Sequence, residues 1–288
     1  MNILVTGGAG FVGSNLTDAL VNQGHDVVIV DNLATGDIAN INPKARFINW
    51  DVRNSFDIHR FLGSYNPEII YHIAALARIQ PSFGRPYDTI EVNAQGTARV
   101  LDYARKKDCK VIYSGSSSFY FDPHINPYAH SKWIGEEHCK MYNKTYGLSV
   151  AIARFFNVYG HRHVKQGDNA NVLGIFEHQK ENNLPLTITG TGNQRRDFTH
   201  ISDICDGLMA MSKNHWNAEI FNLGRSHNYS INEVAKMFQP KEIIYVPSRK
   251  GEAQDTLADI TKSKELLNWE PKHNLPDYIN NFLDNLNQ

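Results

Sequence analysis

An α/β fold, a doubly wound parallel sheet followed by a smaller α/β part, is predicted by three observations on the sequence. Short apolar runs rich in valine and isoleucine alternate with amphipathic stretches of helical period through the first half. The runs are apolar at consecutive positions, as strands are when helices cover both faces of a parallel sheet. A glycine-bearing turn joins the first run to the first helical stretch around residues 7–13.

The strands fall at ILVT (3–6), DVVIVD (26–31), ARFINW (45–50), EIIYHIA (68–74), KVIYSG (110–115) and SVAIARFF (149–156). Helices are expected near 12–23, 55–64, 85–106 and 128–146, the crossovers that parallel neighbours need. Beyond residue 160 the alternation weakens, with polar, glycine-bearing loops such as HRHVKQGDN and TGTGNQRRD. The strands LTIT, EIFNL and EIIYV stand further apart there. Leu275, Tyr278, Ile279, Phe282, Leu283 and Leu286 share one face of a final helix that should cap a core.

Composition bounds the function. The 288 residues are 41% hydrophobic and 20% charged, with net charge -1 and pI about 6.9. That balance gives no electrostatic footprint for nucleic acid or an anionic membrane. Cys109, Cys139 and Cys205 lack CxxC spacing, which argues for a reducing, cytoplasmic setting rather than a disulfide framework. No apolar run approaches the length of a membrane span, and MNILVTGG leads straight into a strand, so neither a span nor a signal peptide is expected. His161 and His163 are close in sequence but have no evident third ligand, so no metal is expected.

Gly7, Gly10 and Gly13 follow the first strand and open the first helix. Glycine at such a turn permits positive φ, bare backbone for a pyrophosphate, and close packing of helix on strand. The helix start at Phe11 and Val12 offers free N–H groups and a positive dipole end to phosphate. Asp31 ends the second strand, where a carboxylate binds the adenosine ribose and repels a 2′-phosphate. Arg46 and Arg53 are candidates for the opposite preference, but neither directly follows that strand. NAD is therefore the expected cofactor. The Rossmann-type, NAD-binding domain is expected over 1–160 plus about 199–224, with 161–198 and 225–288 binding substrate.

The stretch SGSSSFYFDPHINPYAHSK places serines at a strand end, and Tyr128 and Lys132 one helical turn apart. Alone it is either a proton-transfer site or a polar turn. TGGAGFVGSNL, DNLATG, WDVRN, HIAALARIQPSFGRP, N-x-x-GT, the serines, YAHSK, RFFNVYG, GTGNQRRDFTHISDI and LNWEP together resemble the extended short-chain dehydrogenases/reductases. Within them the chain is similar to NAD-dependent nucleotide-sugar epimerases and dehydratases, especially those like UDP-glucose 4-epimerase, over essentially its whole length.

The resemblance implies roles. Tyr128 is the base that takes a proton from a sugar hydroxyl while hydride passes to NAD, and Lys132 and the nicotinamide ring lower its pKa. Ser116 shares the proton, with Ser117 the rival if the register slips. Cofactor contacts fall on Gly7, Gly10, Phe11, Val12, Gly13, Asp31, Asn32, Asp51, Val52, Ala74, Ala75, Asn93, Tyr128 and Lys132. Substrate contacts fall on Ser116, Asn157, Asn171, Val172, Arg196, Arg249, Glu252 and Thr256. Arg195 is either a ligand or a surface charge. Thr256 sits where the family gates the sugar's 2-substituent, and its small size suits an N-acetylhexosamine as well as a hexose.

Two features refine the expectation. Related dehydratases and decarboxylases place an acid just after the serine, whereas Ser117, Ser118 and Phe119 follow Ser116 here. That favours 4-epimerisation of a UDP-sugar over elimination. The connection from Ser116 to Tyr128 spans 12 residues, about half the family's usual length, so part of the roof over the sugar is missing. The alternatives are a dehydratase, reductase or dehydrogenase of the same family, or a weakly catalytic NAD-binding relative. A homodimer through the helices near 85–106 and 128–146 is implied by the family. Ile90, Ala94, Thr97 and Leu101 either supply its apolar stripe or face the sheet.

Overall fold

The computed structural model describes residues 1–54, 59–120 and 122–286, the His59 side chain apart. The first half reads β1 (Asn2–Thr6), α1 (Phe11–Asn22), β2 (Asp26–Asp31), β3 (Arg46–Asn49), α2 (His59–Leu62), β4 (Ile69–His72), α3 (Ile79–Gly84), α4 (Pro86–Ile90), a π turn (Glu91–Gln95) and α5 (Gly96–Lys107). It continues through β5 (Lys110–Ser116), a 3-10 turn (Ser117–Tyr120), α6 (Pro127–Tyr146), β6 (Val150–Phe155) and β7 (Val158–Tyr159). The second half holds α7 (Val172–Glu181), β8 (Leu186–Thr189), β9 (Arg195–Asp197), β10 (Thr199–His200), α8 (Ile201–Met211), β11 (Asn217–Leu223), β12 (Asn228–Ser230), α9 (Ile231–Met237), β13 (Ile243–Val246), α10 (Thr261–Leu267) and α11 (Leu275–Leu286).

The main sheet runs β11-β6-β5-β4-β1-β2-β3, and every neighbouring pair is parallel. Its apolar residues divide between two faces. Ile3, Val5, Tyr71, Ile112 and Phe221 pack with α1 and α8 on one side; Leu4, Val28, Ile70, Val111 and Ile152 pack with α5 on the other. The alternation of odd and even positions explains why each run is apolar throughout. A third cluster joins α7, α9 and α11, where Leu275, Ile279 and Leu283 are buried against Phe176 and Phe238. The order reverses between β1 and β4, and a crevice opens at their carboxyl ends, where open parallel sheets bind ligands.

The helix expected over 85–106 is broken by the π turn. Thr97 Oγ1 takes up the Asn93 carbonyl at 2.6 Å, and the Asn93 side chain is pulled toward Leu76. The short α3 ahead of it has no counterpart in the sequence reading. Residues 55–58 of the helix expected over 55–64 lie outside the described residues. Ala94, Thr97 and Leu101 are buried within the chain, Leu101 against the sheet and Thr97 on His72, so this stripe faces inward.

The longest helix, α6, is sharply delimited. Asn126 caps its start, Oδ1 accepting from the Ala129 N–H at 2.7 Å, and Pro127 occupies the first turn. Gly147, at φ +69°, ends it in the left-handed conformation that glycine adopts without strain. These caps fix where Tyr128 and Lys132 stand relative to β5.

Candidate active site

A cavity of about 1030 Å³ opens above the carboxyl ends of the central strands and runs into the C-terminal part. Its cofactor end is built from backbone. Gly7 has φ +74°, its N–H donates to the Val30 carbonyl, and a Cβ there would lie 2.6 Å from the Ala74 nitrogen. A Cβ on Gly13 would lie 2.1 Å from the Gly7 carbonyl oxygen, so α1 packs on the turn only through glycine. Gly10 is different: the nearest atom to its Cβ would be the Gly7 oxygen at 3.3 Å, and its bare backbone faces the cavity.

Phe11, Val12, Val52, Ala74 and Ala75 line this end with Asp31, Asn32 and Asp51. Asp31 steadies the turn, one carboxylate oxygen accepting from the Ala9 N–H (3.0 Å) and the other from the Leu33 N–H (2.8 Å). Asn32 donates to Asp51, whose carboxylate is held at a pKa of about 2 chiefly by the hydrogen bond from Arg53. Arg53 is thereby occupied, and Arg46 bonds the Leu62 carbonyl. Arg46 does not line the cavity, and the Asp31 and Asp51 carboxylates would repel a 2′-phosphate there. The bare Gly10 backbone and the Asp31 carboxylate suit NAD.

At mid-cavity the structure brings Ser116, the last residue of β5, to Tyr128 in the first turn of α6, with 3.2 Å between Oγ and Oη. Ser118 donates to Ser116, while Ser117 makes no such bond to Tyr128. Burial raises the Tyr128 pKa; the Ser116 hydrogen bond and the Arg78 charge oppose it. Lys132 differs from expectation. Its ammonium, lowered to about 8 by burial, lies 3.4 Å from Ser114 Oγ and 4.5 Å from the centre of the Tyr113 ring. Lys132 and Asn93 do not line the cavity. Asn93 is fully inside, clamping the Leu76 backbone and Ser131.

The shortened connection is held from below. The Arg154 guanidinium, paired with Glu136 in a buried bridge of 2.6 Å, lies 3.5 Å from the centre of the Phe119 ring. Tyr120 donates to Asn222. Asp122 lines the cavity but is exposed, and one of its oxygens caps the His124 N–H.

At the far end Asn157, Asn171, Val172, Arg196, Arg249, Glu252 and Thr256 all line the cavity. Glu252 lies 3.8 Å from Arg196 and 4.0 Å from Arg249, a cluster suited to a charged, hydroxyl-rich ligand. Asn157 donates to the Asp197 carbonyl and to Thr256, while Asn171 caps α7. Arg195 turns away to Asn228 and Glu233. Two residues had no role in the sequence reading. Asp197, fully buried, accepts from the Arg225, Ser226 and Ala258 N–H groups and so ties three segments beneath this end. Arg78 lines the cavity and donates from Nε to the Asn169 carbonyl at 2.7 Å. Its position in the quoted HIAALARIQPSFGRP stretch was the only signal available.

Comparison with known proteins gives a consistent result. The model of the NAD dependent epimerase/dehydratase family matches residues 3–224. The chain is 37% identical to a putative UDP-glucose 4-epimerase of Methanocaldococcus jannaschii, over 96% of this chain and 95% of that one. It is 32% identical to UDP-glucuronic acid decarboxylase 1 of Arabidopsis thaliana, over 98% of this chain and 70% of the other. The crystal structure of UDP-glucose 4-epimerase from Thermotoga maritima with UDP-glucose superposes with a TM-score of 0.93 at 30% identity, covering 100% of both chains.

Proposed function

Because the chain belongs to the NAD dependent epimerase/dehydratase family, we propose that it is a nucleotide-sugar 4-epimerase in which Tyr128 is the base. The carrying observation is the Ser116–Tyr128 pair at 3.2 Å inside a cavity whose serine is followed by Ser117, Ser118 and Phe119 rather than by an acid. Elimination or decarboxylation at the sugar's far carbons calls for an acid or base beyond this pair. The nearest acid along the connection, Asp122, caps its own loop.

Bound NAD supplies the hydride acceptor and donor. The chain supplies the rest. The ionised Tyr128 oxygen removes the proton from the C4 hydroxyl of the sugar, and Ser116 Oγ holds that oxygen and the sugar hydroxyl in line. With the C4 hydride lent to NAD and returned to the opposite face of C4, return of the proton from Tyr128 to the turned sugar would complete inversion and leave the cofactor unchanged. Lys132 keeps a cation one turn further along the same helix. Arg196 and Arg249 clamp the diphosphate and Glu252 the nucleotide ribose of a substrate held by the 161–198 and 225–288 segments, and the similarity to enzymes of UDP-sugars favours UDP as its nucleotide. The small Thr256 side chain leaves room for an N-acetyl group at C2.

Incubation with paired UDP-hexoses and UDP-N-acetylhexosamines, with C4 inversion followed by NMR, tests the reading. Inversion of at least one pair is expected, with Tyr128→Phe slower by about 10²–10⁴-fold. Inertness on every pair, or stoichiometric NADH release, would sink the epimerase assignment. Full activity of Tyr128→Phe would remove the base. Turnover limited to the plain hexoses would remove the role given to Thr256.

A further inference from the structure

We propose that Arg154 is a positioning residue for the reaction: its guanidinium seats the Phe119 ring and so fixes the shortened connection that aims the Ser116 hydroxyl at Tyr128. The inference rests on the reading of Tyr128 as the base and Ser116 as its partner. It starts from a buried ion pair that the proposed chemistry does not use. Arg154 of β6 meets Glu136 of α6 through two bonds, Nε to Oε1 at 3.0 Å and Nη2 to Oε2 at 2.6 Å, and both side chains are buried. Neither residue lines the cavity. The desolvation of two buried charges offsets most of their attraction, so the pair is better explained by the arrangement it imposes than by stability.

The arrangement is a platform across three strands. Gly115, Arg154 and Asn222 are in register on β5, β6 and β11. A Cβ on Gly115 would lie 2.9 Å from Glu136 Oε1 and 3.2 Å from Arg154 Cγ, so the pair occupies the space that a side chain there would need. The centre of the guanidinium is 3.5 Å from the centre of the Phe119 ring, a distance that only the face of the ring allows. Tyr120 adds a second hold, donating to Asn222 Oδ1 at 2.9 Å.

The turn carries this anchorage to the base. Ser118 immediately precedes Phe119, and its N–H (3.2 Å) and its hydroxyl (2.9 Å) both donate to Ser116 Oγ. A hydroxyl has two acceptor sites and one proton. With Ser118 donating into the oxygen, the Ser116 proton is left for the Tyr128 oxygen, 3.2 Å away, once that oxygen is ionised. Burial disfavours the phenolate, and the Ser116 hydrogen bond is the stronger of the two effects that oppose it. Arg154 therefore reaches the base through Phe119, Ser118 and Ser116 in turn.

The residue to change is Phe119, because removing Arg154 or Glu136 alone strands a buried charge. Phe119→Leu keeps an apolar side chain and loses the ring face, whereas Phe119→Tyr keeps both. The Tyr128 midpoint is read from tyrosinate absorbance in the NAD-loaded protein without sugar, as the difference from Tyr128→Phe in each background. In Phe119→Leu it should rise by about 0.5 pH unit, the direction expected of Ser116→Ala, and kcat should fall about 5- to 10-fold with KM for the UDP-sugar within about twofold. Phe119→Tyr should match the wild type. In the Ser116→Ala background Phe119→Leu should add nothing further, since its effect passes through that hydroxyl. Additive shifts, an unmoved midpoint, or an equal loss in Phe119→Tyr would each overturn the proposal, as would a rise in KM with kcat unchanged, which would make Phe119 a wall of the sugar pocket. If Phe119→Leu folds poorly, Phe119→Met takes its place. The titration needs no turnover, so the expected shifts in a protein inert on every UDP-sugar would refute the epimerase reading and leave the positioning of Ser116 standing.

Discussion

The two ends of the cavity are made of different material. At the cofactor end the phosphate turn is backbone, shaped by Gly7, Gly10 and Gly13 within one strand–turn–helix unit. At the other end, where the sugar is proposed to bind, side chains set the shape, and Arg78, Ser116, Tyr128, Asn157, Arg196 and Thr256 come from several separate segments of the chain. The first kind of site depends on which residue can be tolerated at a position. The second depends on whether buried polar groups find each other, and a single unmatched partner is felt across several segments.

The sharpest way to break this contrast is at the glycines. Gly13→Ala puts a methyl group 2.1 Å from the Gly7 carbonyl oxygen, backbone against backbone, where no rotamer can escape. A loss of about 3 kcal/mol or more is expected, with NAD binding abolished. Gly10→Ala meets nothing closer than 3.3 Å. It should melt within about 2 °C of the wild type yet bind NAD more weakly, because the methyl group enters the space a pyrophosphate needs. Thermal melting with and without NAD separates the two. Equal melting points for both variants would show that the turn has slack the geometry denies.

At the other end the corresponding change is Asp197→Asn. One oxygen of Asp197 accepts from Arg225 N–H at 2.7 Å; the other accepts from Ser226 N–H at 2.9 Å and Ala258 N–H at 3.0 Å. An amide can present an acceptor to only one of these sets, and its NH₂ confronts N–H groups on the other side. A cost of about 2–3 kcal/mol is expected from the groups left unpaired, with a larger fall in UDP-sugar binding than in NAD binding. Urea unfolding and paired ligand titrations measure it. A variant of wild-type stability would mean that the three segments are held together by packing alone.

The same contrast explains what could be read in advance. The strands were legible because both faces of the sheet are covered, so each run is apolar at every position. The turn was legible because its requirement is local and steric. Tyr128 and Lys132 were legible as a helical pair, but not the direction of Lys132, which follows from the open ring face of Tyr113 and the Ser114 hydroxyl on β5. Arg78 lies between Ala77 and Ile79 in a segment without period, so nothing in its neighbours says that it faces the cavity. Asp197 reads as one more charge in a polar RRD run, although it is fully buried. The break in the helix over 85–106 depends on Asn93 reaching Leu76, a contact between segments no spacing reveals.

The smallest effect is the most telling about the cofactor end. A short side-chain ion pair there joins Asp51 to Arg53, with Arg53 37% exposed and Asp51 15%. The Asp51 carboxyl is held at about 2, mainly by the Arg53 hydrogen bond. A group with a depressed folded-state pKa stabilises the protein above its unfolded value, near 3.8, and that contribution is lost as pH falls toward 2. Water around Arg53 screens the pair, so the contribution should stay below about 1 kcal/mol. The stability difference between wild type and Asp51→Asn, from urea unfolding at a series of pH values, should therefore be small and constant above about pH 5 and should vanish in stronger acid. A difference as large as that of Asp197→Asn would show that side chains carry this end too. A small one leaves the cofactor cradle to the backbone, and it would place the costly polar pairings of this chain at the sugar end.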